Sequence, residues 1–441
     1  MKLIPKWNSA LASLALVAPL TCLPHASAGD WAQSGVMNTP RANCATTLLS
    51  DGKVLVTGGT NYSGALDSAE VRDPATGAWT PVGPMKSELS NHTATLLQNG
   101  KVLVVGYYDA ELYDPAIGTW TLTGGPVENY FYDHTATLLQ NGKVLVVDSD
   151  DNGAEIYNPA TGTWTPTPKL TYSDEHTATL LPDGKVLVVG GSNGVTEIYD
   201  SVTDKWSPGG VMNISRRGHT ATLLANGKVL VAGGYGGIEG VELANAEIYD
   251  PAAGKWTLVG EMSGPRREHT ANLLANGKVL VTGGYNYDYA SDRNKYLSST
   301  ELFDPATGAW TPNGDMSTQR VRHSSVLLAN GKLLIVGGHD QFLYYASTDL
   351  YTIPTPTAIT KQPGSPTVKE GKRAILSVRA KGTGLTYQWY VGTSGKKSKP
   401  IKNATSRTFR TPPLEATTSY WVKVTGSLGS VSSKTAVVKV Q

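Results

Sequence analysis

One hydrophobic-polar pattern recurs along the whole first part of this chain. From His92 it reads HTATLLQNGKVLVV; the same letters return from His134, and near copies begin at His176, His219, His269 and His323. Each copy holds an apolar run, TATLL, turned by Asn-Gly or Asp-Gly, the strongest two-residue hairpin signal. The run that follows, KVLVV, is continuously apolar and rich in β-branched residues, as a strand buried on both faces reads. After a variable stretch each unit continues into a segment such as AEIYDPATGTW, whose Asp-Pro and Gly mark a second reverse turn. A last strand opens on Trp. No segment carries the 3.6-residue period of a helix.

The turn glycine serves as a ruler: it falls at Gly52, Gly100, Gly142, Gly184, Gly227, Gly277 and Gly331, seven units spaced 42 to 54 residues apart. Four short strands repeated at that period predict an all-β chain built around a seven-bladed β-propeller over residues 29–354. Most units close the second strand on a glycine pair (Gly58-Gly59, Gly190-Gly191, Gly233-Gly234, Gly283-Gly284, Gly337-Gly338) and carry a later Trp: Trp79, Trp120, Trp164, Trp206, Trp256 and Trp310. This order of glycine pair, Tyr and Trp resembles the kelch repeat over about 325 residues; units two and three depart from it with Gly106-Tyr107 and Asp148-Ser149. The seventh unit has no Trp, but Trp31 stands alone near the N-terminus. The N-terminal segment is therefore expected to supply the outer strand of the seventh blade and remove its open edge.

Residues 1–28 read as a secretory signal, with Lys2 and Lys6, the apolar run LASLALVAPL and the small-residue site ASA ending at Ala28. The expected product is exported: periplasmic, cell-surface or extracellular, with no transmembrane segment. Cys44 is then the one remaining cysteine, which excludes an intrachain disulfide. Charge divides the chain. Residues 29–354 hold 21 Lys and Arg against 34 Asp and Glu, a net of −13, while 355–441 hold 15 against 2, a net of +13. The second region, a linker followed by strands, resembles a bacterial immunoglobulin-like sandwich. Trp389 in YQWY marks a central strand, Tyr420 lies two residues before Val422 as in a tyrosine corner, and Val378 and Val422 stand where antibody domains carry their disulfide.

Strand parity places the NGK and DPATG turns on one face and the loops after the glycine pair and after the Trp strand on the other. The first face repeats; the second differs in every unit, and differing loops on a repeated scaffold are where binding sits. Arg41, Arg216, Arg266 and Arg320 share one position there, three before the His or Cys44. They read either as structural braces or as a basic arc for a carboxylate or sulfate. Tyr130, Tyr132, Tyr172, Tyr235, Tyr285 and Tyr287 fall in the same loops, either as packing under them or as a surface for a glycan or protein. The repeated histidines are spread around a ring, not convergent as metal ligands must be, and Cys44 takes the place of a seventh.

The layout of propeller and sandwich resembles galactose oxidase and related copper-radical oxidases. That resemblance implies a cysteine-linked tyrosine, a second tyrosine and two histidines, one from the C-terminal domain. Here Asn91-His92 stands where the linked tyrosine belongs, and the last histidine is His339. Copper is not expected, and no other cofactor is implied. Calcium enters only through DSDDNG, where Asp148, Asp150 and Asn152 fit the opening of a calcium loop whose twelfth position is Pro159. Lys396, Lys397, Lys399 and Lys402 form a basic loop suited to an anionic polymer; no nucleic-acid module is present. The first reading is an exported, non-catalytic binding protein whose variable loop face recognises a glycan or a protein. The rival is an enzyme in the same mouth, a divergent oxidoreductase or, by resemblance to other kelch proteins, a sugar isomerase.

Overall fold

Each repeat becomes one sheet. The computed structural model describes residues 30–441 apart from 128–130, 132, 150–152, 172–173, 192, 238–239, 289–290 and 396–398, so the segment read as a signal lies outside the described residues. Up to Thr352 these residues form seven four-stranded antiparallel sheets. In the second, Thr93–Leu96, Val102–Val105, Ala110–Asp114 and Thr119–Leu122 pair in chain order. Ala94 lies opposite Val104, Leu112 opposite Leu103 and Tyr113 opposite Trp120. The innermost strands touch one another in sequence around a ring, and Ser324–Leu327 of the last sheet returns to Ala45–Leu48 of the first. The result is a closed propeller around a channel.

The core lies between sheets. Leu49 and Leu55 of the first blade pack with Val102, Val104, Tyr113 and Trp120 of the second, and Val54, Val56 and Trp79 of the first with Leu328, Leu334 and Val336 of the seventh. Each second strand is thus covered on both faces, which is why its sequence is apolar without alternation. Asp30–Val36 runs antiparallel to Ser347–Thr352 as the outer strand of the seventh sheet. Trp31 packs against Tyr351 with tilted rings 5.0 Å apart, the separation of Tyr157 from Trp164 and of Tyr249 from Trp256 in their own blades.

The glycine pair sets how closely blades approach. Gly233 has φ +65, and a Cβ on it would lie 2.5 Å from the Arg266 carbonyl oxygen of the next blade and 2.7 Å from the His269 ring. Gly337 stands in the same relation to the Arg41 carbonyl across the closure. Beside these contacts each repeated histidine reaches back with Nε2 to a threonine hydroxyl of the preceding blade. The distances are 2.7 Å for His92 to Thr57, 3.1 Å for His134 to Thr93, 2.8 Å for His176 to Thr135 and 3.0 Å for His219 to Thr177. His269 to Thr220 is 2.9 Å and His323 to Thr270 is 3.1 Å. The histidines are staples between blades.

The C-terminal strands form a second core around Trp389, Phe409, Tyr420, Val378, Val422 and Val424. Trp389 is fully buried, lies opposite Val422 and donates its indole N–H to the Ser406 carbonyl at 2.9 Å. Contact with the propeller is polar: Ser427 donates to Asp30 at 2.9 Å, and the Thr383 hydroxyl to the Ile353 carbonyl at 3.5 Å. Among the described residues no ion pair joins the two parts, despite their opposite charge.

Candidate binding site at the channel mouth

The residue just before each repeated histidine, or before Cys44 in the first unit, stands two positions ahead of the innermost strand of its blade, so the ring brings seven such residues to the rim of the channel. They are Asn43, Asn91, Asp133, Glu175, Gly218, Glu268 and Arg322, and all seven have positive φ, from 40° at Glu175 to 60° at Gly218. The conformation is shared because the backbone there links blades. The Asn91 amide donates to the Asn43 carbonyl at 3.2 Å, Glu268 to Gly218 at 3.1 Å, and Asn43 to Arg322 at 2.9 Å. Left-handed backbone is easy for Gly and Asn and unfavourable for Glu and Arg. Side chains retained there against that preference mark a place where chemistry outweighs local stability.

These seven residues, with His176 and His219, line a cavity of about 450 Å³. Below it the channel, about 540 Å³, is walled by small hydroxyls and methyls including Thr177, Ala178, Thr220, Ala221, Ser324 and Ser325. Arg322 clasps Glu268 from the neighbouring blade with Nε 2.5 Å from one carboxylate oxygen and Nη2 3.2 Å from the other, which holds the guanidinium pKa above its ordinary value. Arg217 stands 3.7 Å from Asp174 and 3.9 Å from Glu175. Burial raises the Glu175 pKa; Arg217 opposes that rise, and the carboxylates of Asp174, Asp133 and Glu268 add to it. The mouth holds more carboxylate than guanidinium.

An arc of rings and guanidinium groups runs beside the mouth. Arg217 lies 5.2 Å from the Tyr235 ring, and Arg267 lies 4.9 Å from Tyr235 and 4.7 Å from Tyr285. The line continues from Tyr285 to Tyr296, His339, Tyr344 and Tyr62, with successive centroids 5.0 to 6.1 Å apart. At its end Tyr62, Phe342 and Leu343 are exposed, yet held: Tyr62 donates to the Phe342 carbonyl at 2.6 Å, and Asp340 accepts both the Phe342 and Leu343 amides at 2.8 Å.

The expected site residues distribute unevenly against this geometry. Tyr235 and Tyr285 belong to the arc, while Tyr287 is turned aside and donates to Asp292 within its own hairpin. Tyr130, Tyr132 and Tyr172 lie outside the described residues, as do Asp150, Asn152, Lys396 and Lys397. The four arginines require correction as a ligand-binding arc. Arg41, Arg216, Arg266 and Arg320 are at most 1% exposed and turn inward. Each pairs with a carboxylate of its own blade: Glu70 at 3.1 Å, Glu247 at 3.1 Å, Glu301 at 2.8 Å and Asp349 at 3.2 Å. Each also donates to the carbonyl of the first glycine of its pair, 2.6 Å for Arg41 and 2.8 Å for Arg216. The acceptors are all internal because a guanidinium there must satisfy the carbonyls that the glycine turn leaves unpaired. Asp148 is fully buried, and among the described residues no three His, Cys, Asp or Glu side chains gather as a metal requires. Lys399 and Lys402 are exposed.

The rim itself was missed by sequence reasoning. A signal for it exists: within an otherwise repeated stretch, the residue preceding the histidine or Cys44 takes five different types over the seven units.

The chain matches the KLHDC2/KLHL20/DRC7 Kelch-repeats domain over residues 175–378, the Kelch motif over 41–86, and the Ig-like domain described as CHU_C associated over 354–441. No curated protein sequence matches it. A solved structure of a fungal alcohol oxidase of the AA5 family, in complex with copper, is similar with a TM-score of 0.62 at 17% identity, over 94% of this chain and 100% of that one. At that identity the likeness is one of fold. The residues here do not fit the copper of that relative. Cys44 packs into the core between the first and seventh blades, with its thiol pushed up by burial to about 11 and no tyrosine among its packing partners. Six of the histidines are committed to threonines, and the sandwich has none.

Proposed function

We infer that this chain, built of Kelch repeats followed by a CHU_C-associated immunoglobulin-like domain, is an exported binding protein whose channel mouth and adjoining aromatic arc dock a protein ligand. One observation carries the reading: seven structurally equivalent rim positions bear five different residue types, three positions holding carboxylates, in a backbone conformation that disfavours Glu175, Glu268 and Arg322. A repeated scaffold diversified at a single convergent position supports recognition. Protein is favoured over glycan by the arc. Arg267 lies between the Tyr235 and Tyr285 rings, so the faces a sugar would stack on already hold a guanidinium. The carboxylate excess suits a basic side chain of the partner, and the exposed Phe342, Leu343 and Tyr62 suit an apolar one beside it. The CHU_C-associated domain accords with an extracellular place, and among the described residues no helix is long and apolar enough to cross a membrane.

A photocrosslinker installed at Asn91, which is exposed on the rim, tests the reading. Incubated with the extracellular fraction of its source, the chain is expected to form a protease-sensitive adduct. The adduct should weaken with Glu268→Gln and as falling pH protonates Glu175, and should be absent with the crosslinker at Asn141 on the opposite face. An adduct that survives protease but yields to periodate makes the ligand a glycan. Bound copper with peroxide release on alcohols or sugars makes the protein an oxidase and ends the binding reading.

A further inference from the structure

We propose that one face of the C-terminal sandwich, spanning two short two-stranded sheets that meet at Val378, is a binding site for an acidic polysaccharide, seated on Lys361, Arg379, Lys381 and Arg410. This is separate from the mouth and from the lysine loop at 394–402. Strand alternation makes the face: Leu376 and Val378 point into the core, while Ile375, Ser377, Arg379 and Lys381 are exposed. On the neighbouring strand Phe409 is buried and Thr408 and Arg410 are exposed. Arg410 lies opposite Ile375, Thr408 opposite Ser377, and Lys361 directly opposite Arg379.

A directly opposed pair of like charges destabilises a sheet. In the propeller several lysines meet a carboxylate: Lys101 pairs with Asp114 at 3.1 Å, Lys228 with Asp250 at 2.8 Å and Lys278 with Asp304 at 3.1 Å. The sandwich differs. It holds 15 Lys and Arg against Glu370 and Glu415, and among the described residues it has no ion pair. That leaves the face open to compensating charge from outside.

The array selects its ligand. Arg379 and Lys381 are two residues apart on one strand, a step of about 7 Å, and Lys361 lies across a strand gap of about 5 Å. Charges so spaced on an open face suit a linear polyanion laid over it. Ser377 and Thr408 on the same face offer hydroxyls to sugar hydroxyls. None of the exposed residues of these strands is aromatic, so bases have no stacking platform. The occupant that fits is a carboxylated or sulfated glycan, which would hold the protein at a surface while leaving the mouth free.

Full-length protein is titrated with polygalacturonate, dextran sulfate and neutral dextran. The two acidic polymers are expected to bind and dextran not to, with affinity falling about tenfold or more between 50 and 300 mM salt as counterions compete. Lys361→Gln, Arg379→Gln, Lys381→Gln and Arg410→Gln together should weaken binding at least tenfold and flatten the salt dependence. Lys399→Gln with Lys402→Gln should change it far less, and Glu268→Gln not at all, so this site and the mouth fail separately. Arg379→Gln alone should raise the melting temperature without polymer and shrink the rise that polymer produces. The proposal is overturned if the fourfold variant binds as the parent does, if the loop variant alone abolishes binding, or if neutral dextran binds equally. It is equally overturned if single-stranded DNA or anionic vesicles outcompete the polysaccharides, or if the four charges instead drive salt-sensitive self-association in sedimentation.

Discussion

Trp31 rests against Tyr351 with ring centroids 5.0 Å apart, making between the two ends of the propeller the contact that Tyr199 and Trp206 make within one blade. The seventh sheet is thereby sewn from both termini, and its outer edge is covered by residues that arrive first in the chain.

Deleting residues 30–36 should therefore open the ring, with loss of the cooperative melt and of solubility. Trp31→Ala, which keeps the strand, should cost about 2–3 kcal/mol, below the cost for a fully buried Trp because the residue is only partly buried. Chemical denaturation followed by tryptophan fluorescence measures both; native melting of the deleted protein rules out this closure.

Arg216 and Glu247, each with its side chain wholly buried, should be worth more as a pair than singly. Arg216→Met leaves the Glu247 carboxylate uncompensated, and about 3–5 kcal/mol of destabilisation is expected. Adding Glu247→Gln should restore part of it by removing the charge, since its amide oxygen can still accept one of the two backbone amides, of Asn213 at 2.9 Å and Ile214 at 3.0 Å, that the two Glu247 oxygens now hold. A double variant no more stable than Arg216→Met means the buried charge is not the cause.

Two glycines separate crowding from backbone strain. Gly254 has φ +61 with open space where a Cβ would go, whereas Gly233 has φ +65 with the next blade's carbonyl in the way. Gly254→Ala should cost about 1–2 kcal/mol, the left-handed penalty alone. Gly233→Ala should cost clearly more, because backbone must shift. Equal losses in thermal melts would remove the argument that this glycine sets the blade spacing.

The histidine staples predict acid lability. Desolvation by burial leads the causes that hold His92, His219 and His323 down to about 3, His134 to about 4, and His269 well below the ordinary imidazole range. The unfolded chain takes these protons near pH 6.5 while the folded chain refuses them. Their stabilisation is complete above that pH and declines as pH falls toward the folded values, by about 1.4 kcal/mol per unit for each histidine. Melting temperature should drop steeply between pH 6.5 and 4, and His134→Gln should shallow the slope. A flat profile over that range excludes the staples as neutral buried groups.

Much of the scaffold was legible because it is written in local alternation. TATLL and KVLVV announce their strands by period and by their Asn-Gly turn, and seven near-copies of a unit too small to bury its own faces leave stacking around an axis as the outcome. The C-terminal sandwich was legible through Trp389 and Tyr420 for the same reason, since their neighbours in sequence are their neighbours on the strand. The binding site was legible only as a face. Arg41, Arg216, Arg266 and Arg320 occupy the right face of the right blades, but whether a side chain turns to the axis or into its own blade depends on acceptors such as Glu247 and the Gly233 carbonyl, 31 and 17 residues from Arg216.

The sequence by itself determined the strands, the number of units and the seam at Trp31, because hydrophobic period, turn chemistry and repeat length are properties of contiguous residues. Only the tertiary structure decided that Asn43, Asn91, Asp133, Glu175, Gly218, Glu268 and Arg322 share one rim, and that Lys361 faces Arg379 across a sheet. Ring closure and strand pairing bring together residues that no local pattern connects, and charges acquire partners, or lack them, only at that distance.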